Sequence, residues 1–87
     1  MSISAQMLQA RLEERLEAQV EVTDESHLHA GHAGAREGGR HFRVKICSAK
    51  FEGLRTLARH RLVYDAVSDW MKKEIHALAI DAADTPN

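Results

Sequence analysis

The chain has 87 residues, of which 44% are hydrophobic and 29% are charged, and its formal net charge at pH 7 is −1. This length suits one domain, and the composition is typical of a globular protein rather than a collagen-like, disordered or membrane protein. Glu13 and Glu14 stand where a signal peptide would have its apolar core. The single cysteine, Cys47, excludes an internal disulfide bond and fits a reducing compartment. We therefore expect one cytoplasmic domain over 1–87 with no membrane segment.

The charges are unevenly distributed along the chain. The segment Arg36–Arg61 carries eight Lys and Arg residues against two acids, whereas the segments before and after it are acidic. A basic surface on a nearly neutral protein attracts acidic partners of any kind. The composition therefore predicts a local docking surface and not a protein that coats nucleic acid.

The first half of the chain predicts a helix and two strands. Apolar residues at helical spacing follow a candidate N-cap at Ser2 or Ser4 (Ile3, Met7, Leu8, Leu12 and Leu16). Val20 and Val22 then alternate with polar residues, as in a short strand. The segment His41–Ser48 alternates more strongly, with Phe42, Val44 and Ile46 on one face. His41 shares the opposite face with Arg43, so we expect its side chain to be exposed.

Between these two strands, 24–40 has no apolar pattern. The segment contains four glycines and three histidines (Gly31, Gly34, Gly38 and Gly39; His27, His29 and His32). Structureless loops of more than ~12–15 residues are usually functional or disordered. We expect a long flexible hairpin loop in which the histidines carry the function.

The second half predicts two helices and a strand. Leu54–Ala58 fits a short helix, and Leu62–Met71 places its apolar residues on one face of a longer helix. The segment His76–Ala82 alternates again, with His76, Leu78 and Ile80 on one face, and 83–87 fits a frayed tail.

These elements predict an α+β fold of the order α-β-β-α-α-β. The first two strands should pair antiparallel, and the helical crossover should return the third strand parallel to the second. The result is a two-layer, type II KH-like fold, in which helices cover one face of a three-stranded mixed sheet.

Several stretches resemble the BolA family over essentially the whole chain. They are Val22–Ser26 leading into His29–His32, His41–Val44, Phe51–Gly53, Arg59–Tyr64 and Ile75–Ile80. The loop is a few residues longer than the shorter family loops, and the long carboxyl-terminal tail of some members is absent. The resemblance implies a non-enzymatic protein with two proposed roles.

The first implied role is partnership with a monothiol glutaredoxin and its glutathione. The two proteins would share a [2Fe-2S] cluster, which we do not expect in the isolated domain, in iron–sulfur transfer or iron-status signalling. The resemblance assigns one ligand to His76 and the other to the loop, where His29 matches best and His32 next. Imidazole binds iron well, and exchanging thiolate for imidazole raises a cluster's potential.

Other interpretations of the histidines stay open. His76 could instead be a structural histidine packed beside Leu78. The loop histidines could be solvated, or could bind zinc or nickel, as a metal-storage protein would. For His60, which stands between Arg59 and Arg61, we expect a structural contact with a backbone carbonyl or a carboxylate at the start of a helix. We do not expect His27 to be a ligand.

The second implied role is a stress-responsive DNA-binding transcriptional regulator. The helices from Leu54 to Lys73 can be drawn as a helix-turn-helix that presents basic residues to phosphates or to a partner (Arg55, Arg59, Arg61, Lys72 and Lys73). The expected helix junction, Ala58–Arg61, has no glycine, so a KH-type backbone clamp is not expected. No set of side chains that could hold a catalytic geometry stands out, so we do not expect an enzyme. We expect the protein to be a monomer or a weak homodimer.

Overall fold

The computed structural model describes residues 3–26 and 40–85. Helix α1 spans Ala5–Leu16, and it is followed by strands β1 (Gln19–Asp24) and β2 (Arg40–Cys47). A 3-10 turn at Ala49–Phe51 leads to helices α2 (Thr56–Ala66) and α3 (Ser68–Met71), and strand β3 (Ile75–Ala83) ends the fold. The predicted element order α-β-β-α-α-β is confirmed.

The three strands form one mixed sheet in the order β1-β2-β3. β1 pairs with β2 antiparallel, with Val22 opposite Val44, and β2 pairs with β3 parallel, with Val44 opposite Ile80. Both pairings agree with the sequence prediction. The parallel pair needs a crossover, and α2 and α3 supply it.

The hydrophobic core lies between the helices and one face of the sheet. Phe42, Val44 and Ile46 of β2 point into it. The other buried residues of the core come from the segment before α1, α1 itself, the 3-10 turn, the crossover and β3 (Ile3, Leu8, Leu12, Leu16, Phe51, Val63, Ala66, Val67, Trp70, Ile75 and Leu78). Arg43 and Lys45, which alternate with the buried residues, are exposed. From Phe42 to Ile46 the period-two pattern of β2 therefore sorts the side chains between core and solvent as predicted.

Polar contacts fix α1 at its start and along its length. At its start, the Oγ of Ser4 accepts a hydrogen bond from the backbone N–H of Met7 (3.1 Å), which makes Ser4 the N-cap. Along its length, the Arg11 guanidinium lies 3.5 Å from the centre of the Trp70 ring and donates a hydrogen bond to Asp69. These contacts of Arg11 join α1 to α3 across the helical layer.

The crossover differs from the sequence prediction. We expected a short helix at Leu54–Ala58 and a longer one at Leu62–Met71, but one continuous helix, α2, runs through 58–61, and the break falls at Val67. No glycine or proline interrupts 58–61, so nothing stops the helix there. Val67 leaves the helical region (φ −125°, ψ 23°) and is fully buried. The predicted helix-turn-helix is therefore wrong.

Candidate metal-ligand site

The candidate ligand His76 lies on an irregular part of β3. Arg40 of β2 is opposite Ile75 and His41 is opposite Ala77, so His76 is an extra residue at this point of the ladder. Such a β-bulge shifts the side-chain alternation and redirects a side chain. Ile75 and Leu78 are both buried, while His76 is exposed. The expectation that His76 shares a face with Leu78 is wrong, and so is the alternative in which His76 packs beside it.

His41 lies against His76. The two ring centroids are 5.0 Å apart and the ring planes are tilted by 43°. The residue is only 6% exposed, which corrects the prediction that its side chain faces solvent as Arg43 does. Strand alternation identifies the face of a side chain and not what covers that face, and here the neighbouring strand carries a bulge residue whose ring packs on His41.

The described residues on either side of the segment 27–39 contact the strands that carry these two histidines. At its amino-terminal side, the Ser26 Oγ accepts a hydrogen bond from the His41 backbone N–H (3.1 Å), and the Glu25 N–H donates to the His41 carbonyl (2.8 Å). At its carboxyl-terminal side, the Arg40 N–H donates to the Glu74 carbonyl (3.1 Å). Ser26 and Arg40, the residues that flank the segment, therefore lie at the end of the sheet where His76 lies.

The predicted loop ligands themselves, His29 and His32, lie outside the described residues, as does His27. Asp24 and Ser26, which come just before the segment 27–39, make polar contacts with each other and with Arg40. The Ser26 N–H donates to Asp24 Oδ1 (2.9 Å), and Arg40 Nη1 lies 3.1 Å from Asp24 Oδ2. Within 3–26 and 40–85, no three His, Cys, Asp or Glu side chains are grouped as a metal site.

The predicted docking residue Arg59 points into the fold. Its Nε donates to the Leu54 carbonyl (2.8 Å), and its Nη1 donates to the Ala82 carbonyl of β3 (3.3 Å). Its Nη2 lies 3.9 Å from a carboxylate oxygen of Asp84, and 20% of its side chain is exposed. Arg59 therefore stabilises the crossover and the β3 edge.

The other four predicted docking residues are exposed, but they are spread along the crossover. Arg55 and Arg61 lie at the start and middle of α2, and Lys72 and Lys73 follow α3. At 1.5 Å per helical residue, Arg55 and Arg61 are about 9 Å apart along α2, and Lys72 and Lys73 lie beyond the helix break at Val67. We call these four exposed residues the basic rim, of which Lys72 and Lys73 are the members close in sequence to His76.

Cys47 lies at the other end of the sheet. Its half-buried thiol borders an open groove of about 290 Å³ that is also lined by Lys45, Glu21 and Asp81. Cys47 is six residue steps along the strand from His41, which is about 20 Å. The groove and the candidate ligand site are therefore different places on the protein.

Sequence reasoning missed His41. The His41-Phe42 pair and the strand parity were both visible, but the contact with His76 depends on the parallel register and on the bulge. Neither feature has a local sequence signature here, although a histidine at the start of each of two neighbouring parallel strands is a signal that could have suggested it.

The chain matches known proteins over most of its length. The family model described as BolA-like protein matches 9–87. The BolA-like protein 1 of Mus musculus is 45% identical over 76 residues, which cover 86% of this chain and 53% of that protein. The DNA-binding transcriptional regulator BolA of Escherichia coli is 38% identical over 79 residues, covering 85% of this chain and 72% of that protein.

Longer proteins also contain a similar region. The SufE-like protein 1, chloroplastic/mitochondrial, of Arabidopsis thaliana is 41% identical over 85 residues, which are 91% of this chain and 23% of that protein. The match thus spans about a quarter to a half of several relatives.

In the described part of the chain, no helix has the length and apolar character needed to cross a membrane.

The fold agrees with solved structures of this group. The BolA domain of SufE1 from Arabidopsis thaliana superposes with a TM-score of 0.80 at 36% identity and covers 97% of this chain and 95% of that chain. BolA1 from Arabidopsis thaliana superposes with a TM-score of 0.78 at 34% identity and covers 99% of both chains. With the family model matching 79 of 87 residues and relatives this similar, the chain belongs to the BolA-like protein family.

Proposed function

We propose that this protein is a non-enzymatic partner of a monothiol glutaredoxin and supplies histidine ligands to a [2Fe-2S] cluster that the two proteins share. The observation that carries the proposal is the exposed position of His76 at the end of the sheet where Ser26 and Arg40, the described residues on either side of 27–39, also lie. The loop ligands His29 and His32 remain what the family resemblance implies.

The residues at this end fit a cluster brought by another protein. His76 is exposed on a bulge, so a cluster held on a partner surface can reach its imidazole. Imidazole nitrogen is a good iron ligand, and two imidazoles in place of thiolates raise a cluster's reduction potential. Thiolates would come from the glutaredoxin and its glutathione.

The basic rim supports docking of an acidic surface. Lys72 and Lys73 are exposed and come four and three residues before His76, respectively, and Arg55 and Arg61 extend the positive charge along α2. Exposed charges of one sign raise the association rate with a partner of the opposite sign. The carboxylates of glutathione or of the partner protein are suitable counter-charges.

The test is to titrate the purified protein into a monothiol glutaredoxin that holds a glutathione-ligated [2Fe-2S] cluster, and to record visible absorption and circular dichroism. We expect a new spectrum to saturate at a fixed ratio of the two proteins. His76→Ala should abolish the change, and His29→Ala should weaken it more than His32→Ala. An unchanged spectrum on mixing would mean that no cluster is shared.

His60→Ala is the matched control, because His60 is a half-buried histidine of α2 and not a proposed ligand. This variant should give the wild-type spectrum. If it loses the change as fully as His76→Ala does, the effect comes from the fold and not from ligation.

A second candidate function is DNA binding by a transcriptional regulator, since the relative from Escherichia coli carries that name. The basic rim could contact phosphates, but Arg59 is engaged within the fold, which leaves Arg55, Arg61, Lys72 and Lys73. Phosphate contacts alone give binding that falls steeply with salt and does not depend on sequence. A salt titration against a matched and a scrambled duplex tests this function, and equal affinities would contradict a sequence-specific regulator.

A further inference from the structure

We propose that His41 is a positioning residue, whose buried ring holds the ring of His76 in the orientation in which it binds the partner's cluster. The inference rests on the proposed function for the identity of the ligand, and it adds a residue that is not itself a ligand. His41 and His76 are called the histidine pair below.

His41 is held rigidly by its neighbours. Its backbone N–H donates to Ser26 Oγ, and its carbonyl accepts from the Glu25 N–H. Ser26 is held in turn by Asp24, whose other carboxylate oxygen lies 3.1 Å from Arg40. With 6% of the residue exposed, the ring of His41 has little room to change rotamer.

His76 has the opposite surroundings. It is exposed and is the extra residue of the bulge, so ladder pairing with β2 does not restrain it as it restrains Ala77. An exposed side chain normally changes rotamer within picoseconds to nanoseconds. The His41 ring at 5.0 Å gives His76 a fixed surface to pack on, within the range of about 4.5–7 Å that is favourable for aromatic pairs.

Orientation matters because a metal ligand must present its nitrogen lone pair in one direction. Hydrogen-bond partners that orient a ligating histidine typically change metal affinity by about 10–100-fold when they are removed, and we expect a packing partner to act at the lower end of that range. A ring already ordered in the free protein also loses less side-chain entropy on binding. His41 therefore raises cluster affinity through packing.

The first experiment measures the ring of His76 in the protein alone, by three-bond scalar couplings for χ1 and by nuclear Overhauser effects between the two rings. We expect one dominant χ1 rotamer in the wild type, averaging in His41→Ala, and restored order in His41→Phe, which keeps a ring without nitrogens. Unchanged couplings in His41→Ala would overturn the inference. Because no partner is present, this result does not depend on the proposed function.

The second experiment titrates each variant into the cluster-loaded glutaredoxin. We expect about tenfold weaker binding for His41→Ala and affinity within about twofold of wild type for His41→Phe. Equal losses in both variants would overturn positioning by packing, because they would show that a nitrogen of His41 is required. No spectral change with the wild-type protein would refute the proposed function, while the ring measurements would still decide whether His41 orders His76.

Discussion

Arg59 Nη1 donates a hydrogen bond to the backbone carbonyl of Ala82 across an N···O distance of 3.3 Å. Nearby, the Tyr64 hydroxyl donates to the Leu78 carbonyl at 3.2 Å. Both carbonyls belong to β3, which is an edge strand of the sheet. Side chains of α2 thus satisfy polar groups along an edge that would otherwise be open to pairing with another chain.

Replacing Arg59 should therefore destabilise the fold. We expect Arg59→Ala to lower the free energy of unfolding by about 1–3 kcal/mol, because it removes charged hydrogen bonds to the Leu54 and Ala82 carbonyls. Arg59→Lys should recover little, since an ammonium cannot reach both carbonyls in the geometry of a guanidinium. Urea denaturation measures both changes. Arg61→Ala, at an exposed position of the same helix, should stay within about 0.5 kcal/mol of wild type, and an equal loss there would contradict this role of Arg59.

Ser48 joins the end of α1 to the turn after β2. Its buried hydroxyl donates to the Leu16 carbonyl (2.7 Å) and accepts from the Lys50 N–H (3.1 Å). Ser48→Ala leaves the Leu16 carbonyl without this donor, and we expect a loss of about 1–3 kcal/mol in the free energy of unfolding. Thermal or urea unfolding of Ser68→Ala, an exposed serine at the start of α3, provides the comparison. Equal stabilities of the two variants would contradict the prediction.

Glu17 ends α1 in the left-handed region, with φ 48° and ψ 50°. A residue with a Cβ is strained there by about 1 kcal/mol, and glycine is the usual occupant. We expect Glu17→Gly to raise the free energy of unfolding by about 0.5–1 kcal/mol. The exposed ion pair between Glu17 and Lys50 (3.3 Å) contributes little, and Lys50→Ala measures that part separately. A Glu17→Gly protein less stable than wild type would show that the ion pair outweighs the strain.

The contact between Arg11 and Asp69 predicts how stability depends on pH. A hydrogen bond from Arg11 lowers the pKa of Asp69 in the folded protein, and the charge of Arg11 acts in the same direction. Since the folded pKa is below the unfolded one, this contribution is fully present above the ordinary Asp pKa of about 4. It is lost as pH falls through the lower folded pKa.

Asp69→Asn removes this contribution. Urea unfolding of wild type and variant should therefore differ at pH 6, and the difference should shrink as the pH is lowered from about 5 to about 2. Asp65→Asn, at an exposed position of α2, is the matched control. If the stability difference between wild type and Asp69→Asn is the same at pH 6 and at a pH of about 2, the assignment is contradicted.

Much of the candidate site could be proposed from the sequence. His76 was identified by its motif, and the structure adds that its side chain is exposed. The expected ligands His29 and His32 stay predictions, because they lie outside the described residues. His41 was assigned to the wrong environment. Its side chain is buried, and its ring lies against that of His76 on a neighbouring strand, a contact that no local pattern encodes.

The element order and the strand pairings were determined by the sequence alone. Period-two and helical spacings are local properties of a chain, and the buried faces of β2 and α1 follow from them. The position of the helix break at Val67, the bulge at His76 and the inward turn of Arg59 were decided only by the tertiary structure. Each depends on groups distant in sequence: the core that buries Val67, the register of β2 against β3, and the carbonyls within reach of Arg59. No local pattern encodes those distances, so the fold class was visible in the sequence while the surroundings of the histidine pair were not.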